Sequence, residues 1–451
     1  MRFNLQWLKS WQQDPLLGKV IRNTGYLFSS NTVSMGVGSL VGFLVPLLLS
    51  PSDYGALGMI ITFASSINRL LSFRMGELVI KYGGQYLARG QKEEAAAVVK
   101  VAGLAEATTS LVAYGLLALL APLAAQYIIK DPRTAPWIMF YGLSLLGNLV
   151  AETSTSVLQI GNHYRSQAVL NLVQSGLTAV LIVIAFLSRG DVFLVLTAYL
   201  VGKLAFGIGM AGAALRWMKP MFGAKWWRSS LRLLPQRQEM LKFAISTNLS
   251  GTINMVIRDS ELLWVGYFLS TTQAGYYKFA LAVMNVIMLP ISPFITTTFP
   301  EISRLIAQEK WRDLRSLLQR TSLLALSWTA AFGVAFALLG RWFLGIFKQG
   351  EYLPAFGAIL VLLVGYGAAN ILFWNRPLLL SLGKPNFPLI VTFVVGALKT
   401  GLMFVLVRPF GYLAQAALLS GYFVISVGVI VLRGWREVRR LERTPSQETA
   451  A

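Results

Sequence analysis

Ionisable side chains stand inside stretches of the chain that are otherwise apolar, and their types point to the binding of an anion. A charge at the centre of a bilayer costs about 2.5–3.5 kcal/mol even on the lenient insertion scale, so such residues face protein or a water-filled cavity. Cations outnumber carboxylates among them. The predicted anion-binding set is Arg69, Lys203, Arg258 and Lys399.

Two carboxylates stand close to Arg258, in the sequence Arg258-Asp259-Ser260-Glu261. A carboxylate in a cavity can take up and release a proton or a cation, which makes Asp259 and Glu261 candidates for ion coupling. A structural role is left open as well. Arg258 and Glu261 are three residues apart, so they could neutralise each other on one helix face.

A polar stripe is predicted along the span that carries these carboxylates and along a matching span near the N-terminus. Asn248, Thr252 and Asp259 follow helical spacing, and Asn31 and Ser34 do the same upstream. In lipid such a stripe must face protein or water. Close packing between helices explains the small and hydroxyl residues equally well, whereas a cavity is favoured for Asp259.

The elements that position these residues are membrane-spanning helices. With 55% hydrophobic and 13% charged residues, the 451-residue chain carries more apolar surface than a soluble fold can hide. About 20 apolar residues cross a bilayer. We therefore predict an all-α membrane protein with twelve transmembrane helices, at approximately 25–49, 55–80, 101–128, 136–160, 166–188, 191–215, 243–269, 275–299, 319–340, 354–380, 386–407 and 411–433.

The net charge of +21 is distributed as a topology signal. Lysine and arginine accumulate in alternate connections, which by the positive-inside rule places both termini in the cytoplasm and disfavours nucleic acid as a partner. Residues 1–22 are basic and amphipathic and are predicted to lie on the membrane surface. The connection 216–242 is predicted to be a basic cytoplasmic linker, and 434–451 a basic, partly disordered tail. Such a face also suits the anionic head groups of membrane lipids.

One half of the chain is a copy of the other. The copies align at offsets of 217 to 222 residues, with Gly55 opposite Gly275 and Asn31 opposite Asn248. Six spans per copy is an even number, so both copies enter the membrane from the same side and the repeat is parallel. This predicts two six-helix bundles, at 23–215 and 243–433.

The residues that several kinds of chemistry require are absent from the sequence. No cysteine is present, which excludes disulfides and thiol catalysis, and the single His163 has no metal-ligand partners and is expected to be solvated. A P-loop pattern is absent, so ATP-driven transport within this chain is unsupported. We predict a transporter rather than an enzyme, with no cofactor or metal, and leave coupling to a proton or sodium gradient open.

The sequence resembles the Wzx-like polysaccharide or O-antigen flippases of the multidrug/oligosaccharidyl-lipid/polysaccharide (MOP) exporter superfamily. The resemblance covers about residues 23–435. It is carried by LLSPSDYGALGMI from Leu48, FRMGELVIKYGGQY from Phe73, RDSELLWVGYFLSTTQAGYYKFALAV from Arg258, and the run Phe299-Pro300-Glu301-Ile302-Ser303.

This resemblance implies two six-helix bundles around a central cavity (MATE/MOP-like) in the bacterial inner membrane. It also implies that undecaprenyl-pyrophosphate-linked oligosaccharides move from the cytoplasmic to the periplasmic leaflet by alternating access, for O-antigen, capsule or exopolysaccharide synthesis. Arginine and lysine would hold the pyrophosphate, while asparagine, serine, threonine and aromatic groups would hold the glycan. Polysaccharide polymerase and synthesis enzymes are candidate partners at the basic cytoplasmic face.

Three alternatives remain. A cation-coupled multidrug exporter shares the superfamily fold but favours a carboxylate-rich or apolar pocket, whereas the intramembrane surplus here is positive. A lipid II flippase would usually carry two additional spans. A membrane-embedded glycosyltransferase or polymerase would need a large external loop, and the external connections are about 3 to 14 residues long.

Overall fold

The computed structural model describes residues 15–72, 75–230, 234, 238–240, 242, 248, 252 and 255–443. These residues form helices joined by short turns, and no strand occurs among them. In chain order the α-helices are α1 (Pro15–Leu48), α2 (Pro51–Leu71), α3 (Met75–Leu78), α4 (Gly84–Ala88), α5 (Lys92–Ala124), α6 (Ala135–Gly147), α7 (Ala151–Ile160), α8 (Tyr164–Leu187), α9 (Val192–Phe222), α10 (Glu261–Phe268), α11 (Thr271–Met288), α12 (Ser292–Ala307), α13 (Trp311–Gly345), α14 (Ala355–Ile371), α15 (Asn375–Ser381) and α16 (Asn386–Arg443). Turns of π-helix occupy Val79–Gly83, Ala125–Ile129 and Met255–Asp259.

The all-α membrane architecture is confirmed. Nine helical runs within the described part of the chain are long and apolar enough to cross a membrane. The last run, α16, contains two of the predicted spans. They meet at Gly411, where φ is 70° and ψ is −163° and the chain turns. The predicted span 243–269 falls partly outside the described residues, and the span 275–299 is divided between α11 and α12.

Local sequence explains where these helices begin and end. The Ser270 hydroxyl accepts a hydrogen bond from the Gln273 amide (3.2 Å) and starts α11, since it satisfies a backbone donor that has no partner within the helix. Pro290 lacks a backbone N–H and cannot continue a helix. Accordingly α11 ends at Met288 and α12 begins at Ser292.

Contacts divide the chain into two compact units. Unit 1 consists of the chain up to Val41, Phe63–Leu123 and Arg133–Thr252, and unit 2 of Gly42–Thr62, Ala124–Pro132 and the chain from Ile253 onward. Two segments from the first half of the sequence therefore group with unit 2. The bundle boundaries at 23–215 and 243–433 follow the sequence repeat and stay a prediction. Residues 1–14 and 444–451, which belong to the predicted surface helix and tail, lie outside the described residues.

The two copies share unusual backbone conformations. Positive φ angles, which L-residues rarely adopt, recur at matched positions. The matched pairs are Gly90 (76°) with Glu309 (54°), Lys130 (61°) with Lys348 (44°), Asn162 (60°) with Gly383 (72°), and Arg189 (51°) with Gly411 (70°). Every pair falls within the predicted range of offsets, so the repeat seen in the sequence is also a repeat of the fold.

Inside unit 2 the repeated signatures meet. Ser52 Oγ lies 2.9 Å from Thr271 Oγ1. The Tyr352 hydroxyl donates to the Leu49 carbonyl oxygen at the end of α1 (3.0 Å), and Lys130 Nζ donates to the Leu269 carbonyl oxygen at the end of α10. The connection after the third span of each copy therefore caps a helix end of the other copy.

Candidate functional site

A cavity of about 450 Å³ opens among the helices of unit 1. α2, α3, α5, α7, α8 and α9 each contribute to its wall. Its polar lining residues are Asn68, Ser72, Glu77, Glu106, Thr109, Ser110, Asn148, Glu152, Thr155, Ser156, Gln159, Gln174 and Lys203. Polar groups in apolar helices cost free energy unless they are hydrogen-bonded, so this concentration marks a place built to hold a polar ligand or water.

The cavity wall is shaped by a break in the helix after α6. α6 ends at Gly147 and α7 begins at Ala151, which leaves the backbone amides at the start of α7 without helical partners. The buried Glu106 carboxylate of α5 accepts two of them, from Glu152 (2.8 Å) and Thr153 (2.9 Å). A carboxylate at a helix N-terminus also opposes the positive end of the helix dipole. Glu106 therefore positions α7 as well as lining the cavity.

Glu152 presents its carboxylate to the cavity and is itself held by α2. The Ser72 hydroxyl, just beyond the end of α2, donates to Glu152 Oε1 (3.1 Å). Glu152 is exposed, whereas Glu106 is buried. In the part of the chain that the structure describes, the second carboxylate oxygen of Glu152 accepts no hydrogen bond, so Glu152 is the lining carboxylate best placed to bind a ligand.

Of the four predicted cations, Lys203 is the one that the structure places in the lining of this cavity. Lys203 projects from α9, and Arg69 of α2 lies within electrostatic range of it. Both side chains are exposed. The described lining therefore sets one ammonium against the carboxylates of Glu77, Glu106 and Glu152. An excess of positive charge was predicted for the membrane interior, whereas the described lining of this cavity carries more carboxylates than cations.

The predicted polar stripe takes part in contacts between helices of unit 1. Asn31 Oδ1 accepts from Asn171 Nδ2 (3.2 Å), and Ser34 Oγ donates to the Asn171 carbonyl oxygen (3.4 Å), which ties α1 to α8. Asn248 Nδ2 donates to the carbonyl oxygens of Ser72 and, at 3.4 Å, Leu70. These are the contacts that the helix-packing alternative describes, and a role in a transport pathway stays a prediction.

Thr252 continues this stripe one turn beyond Asn248. Its hydroxyl lies 3.5 Å from Asn248 Oδ1 and is half-buried. The amide of Asn248 is thereby fixed at both ends, by Thr252 on one side and by the last carbonyls of α2 on the other. The Asn248 side chain therefore caps the C-terminal end of α2 next to the cavity.

Glu261 and Lys399 form a buried ion pair in unit 2. Their side chains are 3% and 4% exposed. Lys399 Nζ binds Glu261 Oε1 and also donates to the carbonyl oxygen of Ile257 in the π-helical turn, while the Tyr277 hydroxyl donates to Glu261 Oε2. The suggested pairing of Glu261 with Arg258 is therefore wrong, because the partner of Glu261 comes from a helix distant in sequence.

Arg258 and Asp259 occupy the end of the π-helical turn and are both exposed. The Arg258 guanidinium lies over the ring of Phe423, with 5.4 Å between its Cζ and the ring centroid. A π-helical turn adds a residue to the helix and shifts the side chains that follow onto another face. Arg258 and Asp259 are accordingly exposed, whereas Glu261, three positions after Arg258, is buried.

Sequence reasoning assigned no binding role to Glu77, Glu106 or Glu152. Each stands in or near a predicted span, as the selected residues do, and that signal was available. What the sequence does not show is the break between α6 and α7, which brings Glu152 opposite Glu106.

His163 was expected to be solvated, but it is half-buried and stacks on Trp217, with ring centroids 3.6 Å apart. Partial burial lowers the pKa of His163 below its usual value.

Metal chemistry receives no support from the described residues, among which no cluster of three or more His, Asp or Glu side chains could hold a metal ion. The arrangement in unit 1 can instead bind a ligand rich in hydrogen-bond donors and acceptors. Carboxylate, amide and hydroxyl groups around one cavity are complementary to several hydroxyl groups at once.

Comparison with known proteins gives a family and a fold. A sequence profile of the family described as polysaccharide biosynthesis protein matches residues 45–347. Inner membrane protein YghQ of Escherichia coli (strain K12) is 23% identical over 316 residues, which make up 66% of this chain and 84% of that protein.

Two solved structures have the same fold. An inward-facing multidrug resistance MATE family transporter of the MOP superfamily matches with a TM-score of 0.74 at 14% identity, covering 92% of this chain and 96% of that chain. The lipid II flippase MurJ in an inward closed conformation matches with a TM-score of 0.70 at 11% identity, covering 92% and 89%. The predicted twelve-helix, two-bundle MATE/MOP fold is thereby confirmed.

Proposed function

The chain belongs to the polysaccharide biosynthesis protein family, and from that membership we propose that it is a flippase for undecaprenyl-pyrophosphate-linked oligosaccharides. It carries repeat units from the cytoplasmic to the periplasmic leaflet of the bacterial inner membrane by alternating access. Both termini lie in the cytoplasm, as the distribution of lysine and arginine favours. The product feeds the synthesis of a surface polysaccharide.

The cavity of unit 1 is the observation that carries this proposal. A glycan is covered with hydroxyl groups, and each hydroxyl that leaves water needs a partner. The cavity offers carboxylates, amides and hydroxyls within helices that are otherwise apolar. Its residues on α3 and α7 lie towards the helix ends that the positive-inside rule assigns to the cytoplasm, the side on which the cargo is loaded.

The pyrophosphate of the cargo needs positive charge. Lys203 and the nearby Arg69 supply it in unit 1, and the exposed Arg258 supplies it in unit 2. Lys399 forms an ion pair with Glu261, so in this proposal it positions that pair and does not contact the pyrophosphate. Coupling to a proton or sodium gradient through Asp259 or Glu261 remains part of the proposal. It fails if transport keeps the same pH and sodium dependence after both are neutralised.

A multidrug exporter is the second candidate, and one observation favours it. Among the described residues, the cavity lining sets three carboxylates against a single ammonium, a balance that also suits an organic cation. A hydroxyl-rich glycan uses carboxylates as hydrogen-bond acceptors, whereas an organic cation uses their charge. The two functions therefore predict different substrates for the same side chains.

The deciding experiment measures both substrates in one deletion strain. The proposed function predicts that intact lipid-linked repeat units accumulate, as measured by mass spectrometry, and that the surface polysaccharide is lost. Wild type restores both, Lys203→Gln restores them poorly, and Lys219→Gln serves as the control, since it removes an exposed charge of α9 outside the cavity. Normal lipid-linked pools with raised sensitivity to cationic drugs would replace the flippase by the exporter.

A further inference from the structure

A second cavity, of about 420 Å³, lies in unit 2 between the start of α13 and the end of α16. It is lined by Arg315, Gln319, Leu432, Trp435, Arg436 and Arg439. Arg315 and Gln319 are one turn apart on α13. Leu432, Arg436 and Arg439 follow the i, i+4, i+7 spacing of one face of α16. Two helix faces therefore place three guanidinium groups around one concave site.

The base of this site is fixed. Leu314, Leu318 and Val438 are fully buried in one hydrophobic cluster, which packs α13 against α16 directly beneath the lining residues. The Trp435 ring meets the Trp374 ring edge to face, with centroids 5.9 Å apart. The arginine side chains thus project from a rigid wall.

Few carboxylates neutralise the arginines of this site, whereas the basic residues on the neighbouring face of α16 are paired. On the neighbouring face of α16, Arg433 and Lys384 are each 2.7 Å from the Glu437 carboxylate. In the cavity, Arg315 pairs with Glu442, while its Nε is buried without a hydrogen-bond partner. Arg436 and Arg439 are exposed, and neither has an ion-pair partner in the part of the chain that the structure describes.

The position and chemistry of the site define its ligand. Guanidinium groups bind phosphate oxygens through paired N–H donors. Leu432, 61% exposed, and Trp435 stand where the apolar part of α16 ends, the depth at which tryptophan and lipid head groups meet. Basic pockets between transmembrane helices on the cytoplasmic side suit anionic head groups.

We propose that this cavity binds the phosphate of an anionic glycerophospholipid at the cytoplasmic surface of the membrane. Arg436 and Arg439 hold the phosphate oxygens, and Arg315, held in place by Glu442, completes the site. Leu432 and Trp435 contact the glycerol and the first methylene groups of the acyl chains. The bound lipid would fix the ends of α13 and α16 at the membrane surface.

The test uses the purified, delipidated full-length protein in neutral detergent. Native mass spectrometry follows the binding of phosphatidylglycerol and, separately, of zwitterionic phosphatidylcholine. The double variant Arg436→Gln/Arg439→Gln should bind phosphatidylglycerol at least about tenfold more weakly, because both exposed guanidinium groups that attract the anionic head group are removed. Arg312→Gln/Arg440→Gln removes the same amount of charge from the start of α13 and the end of α16, at positions outside the cavity lining, and should change binding by less than about threefold.

Further measurements separate the outcomes. The single variants Arg436→Gln and Arg439→Gln should each give a partial loss, and all variants should elute as monodisperse protein with unchanged thermal unfolding in the absence of lipid. Equal binding of phosphatidylcholine, or equal losses in both double variants, would overturn the proposal. Displacement of the lipid by inorganic phosphate at the lipid's own concentration would also overturn it, since the site would then bind a soluble anion. The assay involves no transport and is independent of the flippase proposal.

Discussion

Gly55 and Gly275 hold matching positions in the two copies of the chain, and their backbones touch inside unit 2. A Cβ built on Gly55 would lie 2.7 Å from the Gly275 amide nitrogen, and one built on Gly275 would lie 2.6 Å from the Pro51 carbonyl carbon. These neighbours are backbone atoms, which cannot swing aside as a flexible side chain can. The two glycines therefore set how closely the start of α2 approaches α11.

Replacing either glycine should weaken this contact. Gly275→Ala forces α2 and α11 apart, and overpacking of this kind costs about 1–3 kcal/mol of stability. The expected result is a lower unfolding temperature for the purified protein in detergent. Gly38→Ala is the control, because nothing lies within 4 Å of a Cβ at Gly38 in α1. Equal unfolding temperatures for Gly275→Ala and Gly38→Ala would contradict the close contact.

The Glu261–Lys399 pair predicts a marked asymmetry between single and double substitutions. Removing one partner leaves an unpaired buried charge, which costs about 3–5 kcal/mol. Glu261→Gln and Lys399→Met should each lower the unfolding temperature strongly. Glu261→Gln/Lys399→Met removes both charges and should recover most of the loss, since a buried ion pair gives little net stability over uncharged residues.

A thermodynamic cycle over these variants measures the coupling directly. The expected coupling free energy is at least about 2 kcal/mol, within the range of residues in contact. Asp259→Asn is the matched control, because Asp259 is exposed at the neighbouring turn. Additive losses in the double variant would show that the two residues do not pair in the membrane.

Sequence patterns predicted the spans and the repeat because both are encoded locally. Each span is a continuous apolar run, and matched residues such as Gly55 and Gly275 stand at offsets that stay between 217 and 222 residues. The mid-membrane charge of Glu261 was equally visible. Its partner was not, because Lys399 lies on a distant helix and hydrophobic periodicity does not specify which helices are neighbours.

The unit 1 cavity could not be predicted from the sequence for the same reason. The lining residues are distributed over six helices, which have to converge before their polar positions form one site. Glu106 illustrates the difficulty. Its two partners are the backbone amides of Glu152 and Thr153, which are available as donors only because the helix is interrupted between α6 and α7. Gly147 and Asn148, residue types that often end helices, stand at that break, but the apolar run continues beyond them through Leu149 and Val150, so the sequence was interpreted as one span.

Glu152→Gln tests whether the cavity binds a glycan. It keeps the size of the side chain but replaces a charged hydrogen-bond acceptor for a sugar hydroxyl by a neutral one, a loss of about 1–1.5 kcal/mol. We expect a roughly five- to tenfold loss of repeat-unit translocation, assayed with lipid-linked oligosaccharide in proteoliposomes. Glu93→Gln, an exposed change at the start of α5, should have no effect. Unchanged translocation by Glu152→Gln would remove Glu152 from the binding site.

Glu106 should behave differently from Glu152, because it supports the cavity wall rather than reaching into open space. Glu106→Ala leaves the amides of Glu152 and Thr153 without acceptors, and each unsatisfied buried donor costs about 1–3 kcal/mol. Glu106→Gln retains one acceptor oxygen, so its unfolding temperature should lie between those of Glu106→Ala and wild type. Glu152→Gln should unfold like wild type. Equal stability of Glu106→Ala and wild type would mean that α7 holds its position without this cap, and that Glu106 is present for the ligand alone.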